Sequence, residues 1–179
     1  MRGLLVGRFQ PFHGGHLAIV RELRAQRPTE ELILGVGSAQ AAFTWHDPFT
    51  SGERLEMIGA ALAEAGIAGT VAIPVPDIDR HALWVRYLEG LLPRFERVYT
   101  NNPLTRLLFE QAGYRVESPT LVERARFEGE RIREELAADG NWRSSVPPAV
   151  AALLEAIHAP ARLATLRQGQ GRSGARGGS

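Results

Sequence analysis

The chain contains no lysine and no cysteine, and all 21 of its positively charged side chains are arginine. Without lysine, the sequence excludes Schiff-base enzymes, ligases that work through a lysyl adenylate, and Walker-type phosphate loops that end in Gly-Lys-Ser/Thr. Without cysteine, it excludes thiol catalysis, disulfide scaffolds and cysteine-ligated zinc or iron–sulfur sites. Any phosphate that this protein binds is therefore held by arginine, histidine, hydroxyl groups and backbone amides.

Long apolar runs are also missing, since the longest are far shorter than the ~20 residues that span a bilayer. We therefore expect no association with a membrane. The N-terminal sequence MRGLLVGRFQ leads directly into an apolar strand and does not resemble a secretory signal, so a cytoplasmic location is expected. With 44% apolar and 23% charged residues in 179, the composition fits one globular domain. We place this domain at residues 1–160, before a short terminal segment at residues 161–179.

The formal net charge of +1 hides an uneven distribution. Residues 1–155 hold 17 arginines and 20 carboxylates, whereas the residues after Glu155 hold four arginines and no carboxylate. The body of the protein is therefore slightly acidic, and we expect no nucleic-acid partner. From Gln168 onward the chain is rich in glycine, serine and arginine, so residues 168–179 are expected to be disordered.

Apolar patterns typical of strands and of amphipathic helices alternate along the chain. Strands are predicted at residues 3–9, 32–36, 70–75, 97–99 and 114–116, and helices at 13–27, from 51, at 81–92, from 103, at 126–138 and at 147–157. This alternation predicts an α/β fold with a doubly wound, mostly parallel sheet. Ligands bind such sheets beyond the carboxyl ends of the strands, which are here residues 8–16, 37–50, 76–84 and 100–103.

The strongest motif is GRFQPFHGGH at residues 7–16, which follows the first strand and begins a helix. A helix N-terminus offers unpaired amides and a positive partial charge to an anion, and glycine lets the backbone approach that anion closely. His13 and His16 are three residues apart and so face the same ligand, while Arg8 adds a guanidinium that can bind phosphate through two parallel bonds. This set can stabilise the charge that develops during in-line transfer at a phosphate.

Two other interpretations of this motif stay open on spacing alone. It is a capped helix that carries two surface histidines, or it is half of a zinc site whose third ligand would come from His46 or a carboxylate. No cysteine is available to complete a zinc site, and we predict no metal held by the protein itself.

The motif HGGH matches the HxGH signature of the nucleotidyltransferase superfamily. The wider series GRFQPFHGGHL, GSAQ, DPFTSGER, PVPDI, WV and TNNP, within a resemblance from about residue 7 to residue 150, is similar to the archaeal-type nicotinamide-nucleotide adenylyltransferases. The resemblance implies a Rossmann-like nucleotidyltransferase domain with C-terminal helices, which transfers AMP from ATP to nicotinamide mononucleotide (NMN) and forms NAD and pyrophosphate. It also implies direct in-line attack without a covalent enzyme intermediate, Mg²⁺ that arrives with ATP, and assembly into a homo-oligomer.

The resemblance also assigns roles to individual residues. The residues that would act in catalysis, by holding phosphates at the reacting centre, are His13, His16, Arg8 and Arg54. The residues that would bind the rest of ATP are Gly7, Phe9, Gln10, Gly15, Thr100, Asn102 and Arg133. The residues that would bind the nicotinamide nucleotide are Trp84, Gly37, Ser38 and Asp77. Trp84 would stack on the flat cationic nicotinamide ring, although its spacing on the helix fits a core position equally well.

One segment departs from the family pattern. Relatives read roughly Ser-Gly-Thr-x-Ile-Arg where this chain has EGERIR at residues 128–133, so two hydroxyls are replaced by carboxylates. Two anions beside a triphosphate are unfavourable. Glu128 and Glu130 are therefore expected to point away from it, to pair with Arg126 or Arg131, or to bind Mg²⁺.

Two alternative functions stay open at this point. The chain could transfer a nucleotide to another phosphorylated acceptor, such as FMN or phosphopantetheine. The carboxylates at positions 128 and 130 favour a different class, a sensor that binds nucleotide without turning it over.

Overall fold

The computed structural model describes residues 1–120 and 127–173, and in this part of the chain five strands form one sheet. The strands are β1 Arg2–Gly7, β2 Glu31–Val36, β3 Thr70–Pro74, β4 Arg97–Tyr99 and β5 Arg115–Glu117. The helices are α1 Gly14–Gln26, α2 Ser51–Glu64, α3 His81–Leu91, α4 Pro103–Gln111, α5 Gly129–Ala137, α6 Pro148–Ala156 and α7 Ala159–Ser173, with a short 3-10 helix at Trp142–Ser145.

The sheet is parallel, with the strand order β3-β2-β1-β4-β5. The chain moves outward from β1 to β3 and then returns to the other side of β1 with β4, so the order reverses between β1 and β4. The register pairs Gly7 with Val36 and Leu5 with Tyr99, which brings the carboxyl ends of β1, β2 and β4 together. Doubly wound sheets bind ligands at this reversal of strand order. The parallel sheet between helices confirms the predicted α/β fold class.

Apolar clusters cover both faces of the sheet, because successive residues of a strand point to opposite sides. Leu5 lies in the larger cluster with residues of α1, α2, α5, α6 and α7, among them Val20. Leu4 lies in the smaller cluster on the other face, where Leu88 of α3 and Phe109 of α4 are completely buried. The two clusters fix the sheet between helical layers and so hold the three strand ends in place.

Local sequence explains where two of the helices beside these strand ends begin. Thr50 and Glu53 form a capping box, in which each side chain accepts a hydrogen bond from the backbone N–H of the other, and α2 begins at Ser51. Asn102 caps α4 by accepting the backbone N–H of Thr105, and Pro103 occupies the first helical position.

The C-terminal region differs most from the sequence prediction. Helix α7 continues to Ser173, whereas the composition predicts no regular structure from residue 168. The start of α7 is anchored by Leu163, which is completely buried, and the helix continues through Gly169 and Gly171 although glycine is unfavourable inside helices. Residues 174–179 of the predicted tail lie outside the described residues, as does Arg126, the first residue of the helix predicted at 126–138.

Within the described ranges, no single helix is both long enough and apolar enough to cross a bilayer. Helix α6 and the part of α7 up to Gly169 are long and apolar enough to span a bilayer only when they are taken together. The two helices are bent by 66° at the break between them. Leu154 and Leu163 of these helices are buried in the larger apolar cluster.

Candidate active site

His13 and His16 cap the start of α1 by hydrogen bonding to each other's backbone. The Nδ1 atom of His13 accepts the N–H of His16, and Nδ1 of His16 accepts the N–H of His13, both at 3.3 Å. A neutral imidazole carries one proton, and a nitrogen that accepts a hydrogen bond cannot carry it. The proton of each neutral ring is therefore on Nε2, and the pair presents two N–H donors of fixed tautomer at the end of β1.

The two imidazole rings belong to an aromatic stack. Their centroids are 3.5 Å apart, Phe12 stacks on His16 at 5.5 Å, and Phe127 stacks on the other side at 6.2 Å from His13. Burial lowers the pKa of His13 to about 4, and burial together with the neighbouring His13 lowers the pKa of His16 well below its usual value. Both rings are therefore neutral at neutral pH, and the interpretation of two surface histidines is wrong.

The ring of Phe127 also occupies the space above the two glycines of the motif. A Cβ atom on Gly14 would lie 2.6 Å from the Phe127 ring, and one on Gly15 would lie 2.7 Å from the Phe127 Cβ. Glycine at both positions is thus required for this contact, in addition to any close approach of an anion. No spacing in the sequence connects Phe127 to the motif, so sequence reasoning misses it.

Arg8 and Arg133 supply positive charge beside this helix start. More than half of the Arg8 side chain is exposed, and its Nη1 lies 3.8 Å from Oδ1 of Asp47. Arg133 is buried, its Nη1 donates to the Gln10 carbonyl at 3.0 Å, and its Nε has no hydrogen-bond partner in the described part of the chain. Burial, and after it the nearby Arg8, lowers the pKa of Arg133, which shows that the two cations act on one another. An anion between them would relieve this repulsion.

The two carboxylates that replace hydroxyls lie at the start of α5. Glu128 occupies the N-cap position without a side-chain cap bond, Glu130 lies in the first turn, and both residues are exposed. The charge of Glu130 acts on Arg133 and partly opposes the lowering of its pKa. Exposure agrees with the expectation that these carboxylates avoid an anion at the histidine pair.

Arg54 does not present its guanidinium to the site. Its side chain is completely buried and donates four hydrogen bonds to backbone carbonyls, at distances from 2.7 to 3.3 Å. The four acceptors are the carbonyls of Thr50, Arg8, Gly37 and Ser38. Arg54 therefore ties together the loops that follow β1 and β2, and its role as a phosphate ligand stays a prediction.

Gln10 is a second predicted ligand whose side chain is used inside the protein. Its amide oxygen accepts the N–H of Phe49 at 3.0 Å, and its amide nitrogen donates to the Phe49 carbonyl at 3.1 Å. Gln10 is buried, and its side-chain amide pairs with the backbone of Phe49 as a neighbouring strand would. The motifs GRFQPFHGGH and DPFTSGER are thus joined by Gln10 as well as by Arg54.

A narrow cleft opens between the ends of β1 and β4. It has a volume of about 190 Å³, and its lining includes five predicted residues, Gly7, Phe9, His16, Thr100 and Asn102. Phe9 has a φ of 51°, and the absence of a side chain on Gly7 leaves room for its ring, since a Cβ would lie 2.9 Å away. A positive φ in a bulky residue stores strain, and such residues cluster at functional sites.

A larger cleft of about 440 Å³ lies between the starts of α3 and α4. Its lining includes Trp84, Asp77 and Asn102 from the sequence prediction, and Asp79 and His81, which the prediction missed. Trp84 is half-buried and meets Phe109 of the core edge-on at 5.6 Å, so it serves both as a core residue and as a wall of the cleft.

Ser38 is joined to this larger cleft through Asp77. Oδ1 of Asp77 accepts the backbone N–H of Ser38 at 3.2 Å, and its Oδ2 accepts the side-chain amide of Gln40 at 3.4 Å. Ser38 has a φ of 50°, and Gly37 donates its N–H to the Gly7 carbonyl at 2.9 Å. Both residues are therefore placed as backbone supports between the two clefts.

The depressed pKa of His13 predicts a dependence of stability on pH. Because the unfolded chain takes up its proton near 6.5 and the folded protein near 4, the unfolded state binds more protons between these values. Stability is thus full above about pH 6.5 and is lost as the pH falls toward 4. We expect His13 alone to lower the free energy of unfolding by about 2 kcal/mol between about pH 7 and about pH 5.

Urea unfolding at a series of pH values measures this loss, with His13→Asn as the matched control, since asparagine also caps helices well. The variant should show a clearly flatter dependence across the same interval. An equally steep dependence in the variant would contradict the assignment of the loss to His13.

Comparison with known proteins gives one family. A family model described as cytidylyltransferase-like matches residues 4–135. Three similar proteins are each named nicotinamide-nucleotide adenylyltransferase. They come from Picrophilus torridus (44% identical, covering 94% of this chain and 98% of the relative), Haloarcula marismortui (45%, covering 91% and 85%) and Methanospirillum hungatei (41%, covering 96% and 97%).

Solved structures agree on the fold. Two crystal structures of a bifunctional NMN adenylyltransferase/ADP-ribose pyrophosphatase from Francisella tularensis match with TM-scores of 0.75 and 0.73, at 16% and 17% identity. The second of these holds AMP and a manganese ion. Both alignments cover 94% of this chain but about half of the Francisella chain, so they support the architecture of this one domain.

Proposed function

Because this chain belongs to the nicotinamide-nucleotide adenylyltransferases of the cytidylyltransferase-like family, we propose that it transfers AMP from ATP to NMN. An oxygen of the NMN 5′-phosphate attacks the α-phosphorus of ATP and forms the new P–O bond. The bond from the α-phosphorus to the bridging oxygen breaks, and pyrophosphate leaves with the electron pair. The products are NAD and pyrophosphate, and no bond to the protein forms.

The observation that carries this proposal is the pair of neutral histidines at the end of β1. Their Nε2–H groups are donors of fixed tautomer at a helix N-terminus, where the helix adds positive partial charge. Donors that are already oriented stabilise charge that builds up on a reacting phosphate without reorganising during the reaction. The nucleophile is an ionised phosphate of the substrate, so the chain's lack of lysine and cysteine is no obstacle.

In this proposal, the arginines bind the phosphates of ATP and each of the two clefts binds one nucleoside part. Arg8 and Arg133 would hold the triphosphate next to the histidines. The cleft of Gly7, Phe9, Thr100 and Asn102 would take the adenosine part of ATP. The cleft beside Trp84 would take the nicotinamide nucleotide, with the cationic ring on the indole face.

Mg²⁺ enters this proposal as part of the substrate MgATP. The described residues hold no cluster of three or more histidine or carboxylate side chains that could bind a metal ion by themselves. In such sites Mg²⁺ is bound mainly by the phosphates of ATP and keeps several of its water ligands. Assembly into a homo-oligomer and a cytoplasmic location stay predictions.

The stereochemistry at the α-phosphorus tests the direct mechanism. ATP that carries a chiral α-thiophosphate should give a product with inverted configuration, because a single in-line displacement inverts the phosphorus. Retention would require two displacements through a covalent intermediate and would contradict the proposal.

Replacing Trp84 with alanine tests the second cleft. We expect the KM for NMN to rise about tenfold, the size of a cation–π contact that is shielded from water, while the KM for ATP changes little. Trp84→Phe keeps an aromatic face and should raise the KM for NMN by less. Steady-state kinetics with each substrate varied in turn measure this, and a rise confined to the KM for ATP would show that the cleft is assigned to the wrong substrate.

A further inference from the structure

Helix α7 contacts the region beside the candidate active site through Arg162. Both terminal nitrogens of Arg162 donate to the carboxylate of Glu53, each at 2.8 Å, and Nη1 also donates to the Pro48 carbonyl at 3.3 Å. The guanidinium carbon lies 4.9 Å from the centre of the Phe43 ring and 5.9 Å from that of Phe49. A guanidinium with a two-bond ion pair and two aromatic neighbours is held in one orientation.

These contacts converge on the loop between β2 and α2, residues 37–50, which we call the β2–α2 loop. Arg162 touches it at Phe43, Pro48 and Phe49, and it touches the first turn of α2 at Glu53. Burial opposes the charged form of Glu53, but bonds from Arg162 and Thr50 outweigh this effect and lower its pKa. Glu53 is therefore an anion that caps α2 and binds α7 with the same carboxylate.

The same loop supports the phosphate-binding groups of the proposed function. Phe49 is paired with Gln10 in the motif that carries the histidines, and Asp47 lies against Arg8. Glu53 and Pro48, the two groups to which Arg162 donates, are thus within a few residues of both supports. A shift of this loop would move Asp47 and Phe49 together.

We infer that Arg162 is a positioning residue for ATP, which holds the β2–α2 loop in the form that orients Arg8 and the histidine motif. The inference rests on the proposed function, because it takes ATP as the ligand. It also places part of residues 161–179, the segment that the sequence separates from the domain, on the body of the catalytic unit. No motif contains Arg162, and it is 109 positions from its partner Glu53.

Binding of α,β-methylene-ATP with Mg²⁺ tests the inference directly, since this analogue cannot be cleaved and needs no acceptor. We expect Arg162→Ala to raise the calorimetric Kd about tenfold, the scale of one lost charge-assisted hydrogen bond. Arg162→Lys keeps the charge but not the two-bond geometry, and its Kd should lie between those of Arg162→Ala and the natural protein. In turnover, the KM for ATP should rise while the KM for NMN stays the same.

A merely stabilising role gives a different result. It would reduce the fraction of folded molecules, so kcat would fall while the Kd and the KM for ATP stayed unchanged, and this outcome would overturn the inference. Arg167→Ala is the matched control, because Arg167 is an exposed arginine on the same helix, and it should bind the analogue normally. If Arg162→Ala does not fold, Glu53→Gln removes the ion pair with a side chain of the same shape and should show the same rise in Kd. Because the analogue reports binding alone, a failure to make NAD would count against the proposed function and not against this inference.

Discussion

Alanine in place of His16 lowers the kcat for NAD formation by about a thousandfold, the upper range for removing one oriented donor from a reacting centre. The loss has three causes: the Nε2–H donor disappears, the backbone N–H of His13 loses its acceptor, and the stacked partner of the His13 ring is removed. The KM for ATP should change much less than kcat, because the histidine acts on charge that is largest in the transition state. Initial rates at saturating ATP and NMN measure this effect.

His158→Asn is the control for this experiment. His158 is exposed between α6 and α7, and its φ of 54° is one that asparagine tolerates well, so activity should stay at the natural level. If His16→Ala kept a rate within about tenfold of the natural protein, the histidine pair would not be the centre of catalysis.

Methionine in place of Arg54 lowers the free energy of unfolding by about 3 kcal/mol, because a buried carbonyl that loses its partner costs about 1–3 kcal/mol and three partly buried carbonyls lose theirs as well. The variant leaves four backbone carbonyls without the guanidinium that joins them. We also expect its activity to fall about a hundredfold in the molecules that stay folded, since misplaced reacting groups cost this much. Urea unfolding and the rate per folded molecule give the two quantities.

The matched substitution Arg8→Met separates a structural arginine from a ligand. The Arg8 side chain is more than half exposed, so its loss should leave the free energy of unfolding within about 0.5 kcal/mol while activity falls. If Arg54→Met were as stable as the natural protein and lost activity alone, Arg54 would be a phosphate ligand after all.

Much of the fold follows from the sequence because strand and helix periods alternate clearly. The reversal of strand order at β1 places GRFQPFHGGH, the loop after β2 and Thr100 together, as the general rule for such sheets predicts. Helix α7 is the main error. Its glycine-rich end resembles a disordered tail, and the burial of Leu163, which anchors the start of the helix, is not evident from the sequence pattern.

The site is harder to predict than the fold, because a polar residue in a motif can face either a ligand or the backbone. Gln10 and Arg54 stand among ligand-binding residues in the sequence, yet both are used to pair carbonyls and amides of neighbouring loops. Phe127 and Arg162 show the opposite problem. Phe127 contacts the histidine pair and Arg162 contacts the β2–α2 loop, each from a distant part of the chain. The spacing of residues in the sequence does not predict such contacts.

The most direct test of the proposed function offers the protein a choice of acceptors. With MgATP and equal concentrations of NMN, FMN and phosphopantetheine, we expect NAD and pyrophosphate to appear in equal amounts and the other two acceptors to stay unchanged. The same mixture with the His16→Ala variant should give almost no product. Preferential use of FMN or phosphopantetheine would contradict the acceptor assignment, and tight binding of NAD without any turnover would show that the protein is a nucleotide sensor and not an enzyme.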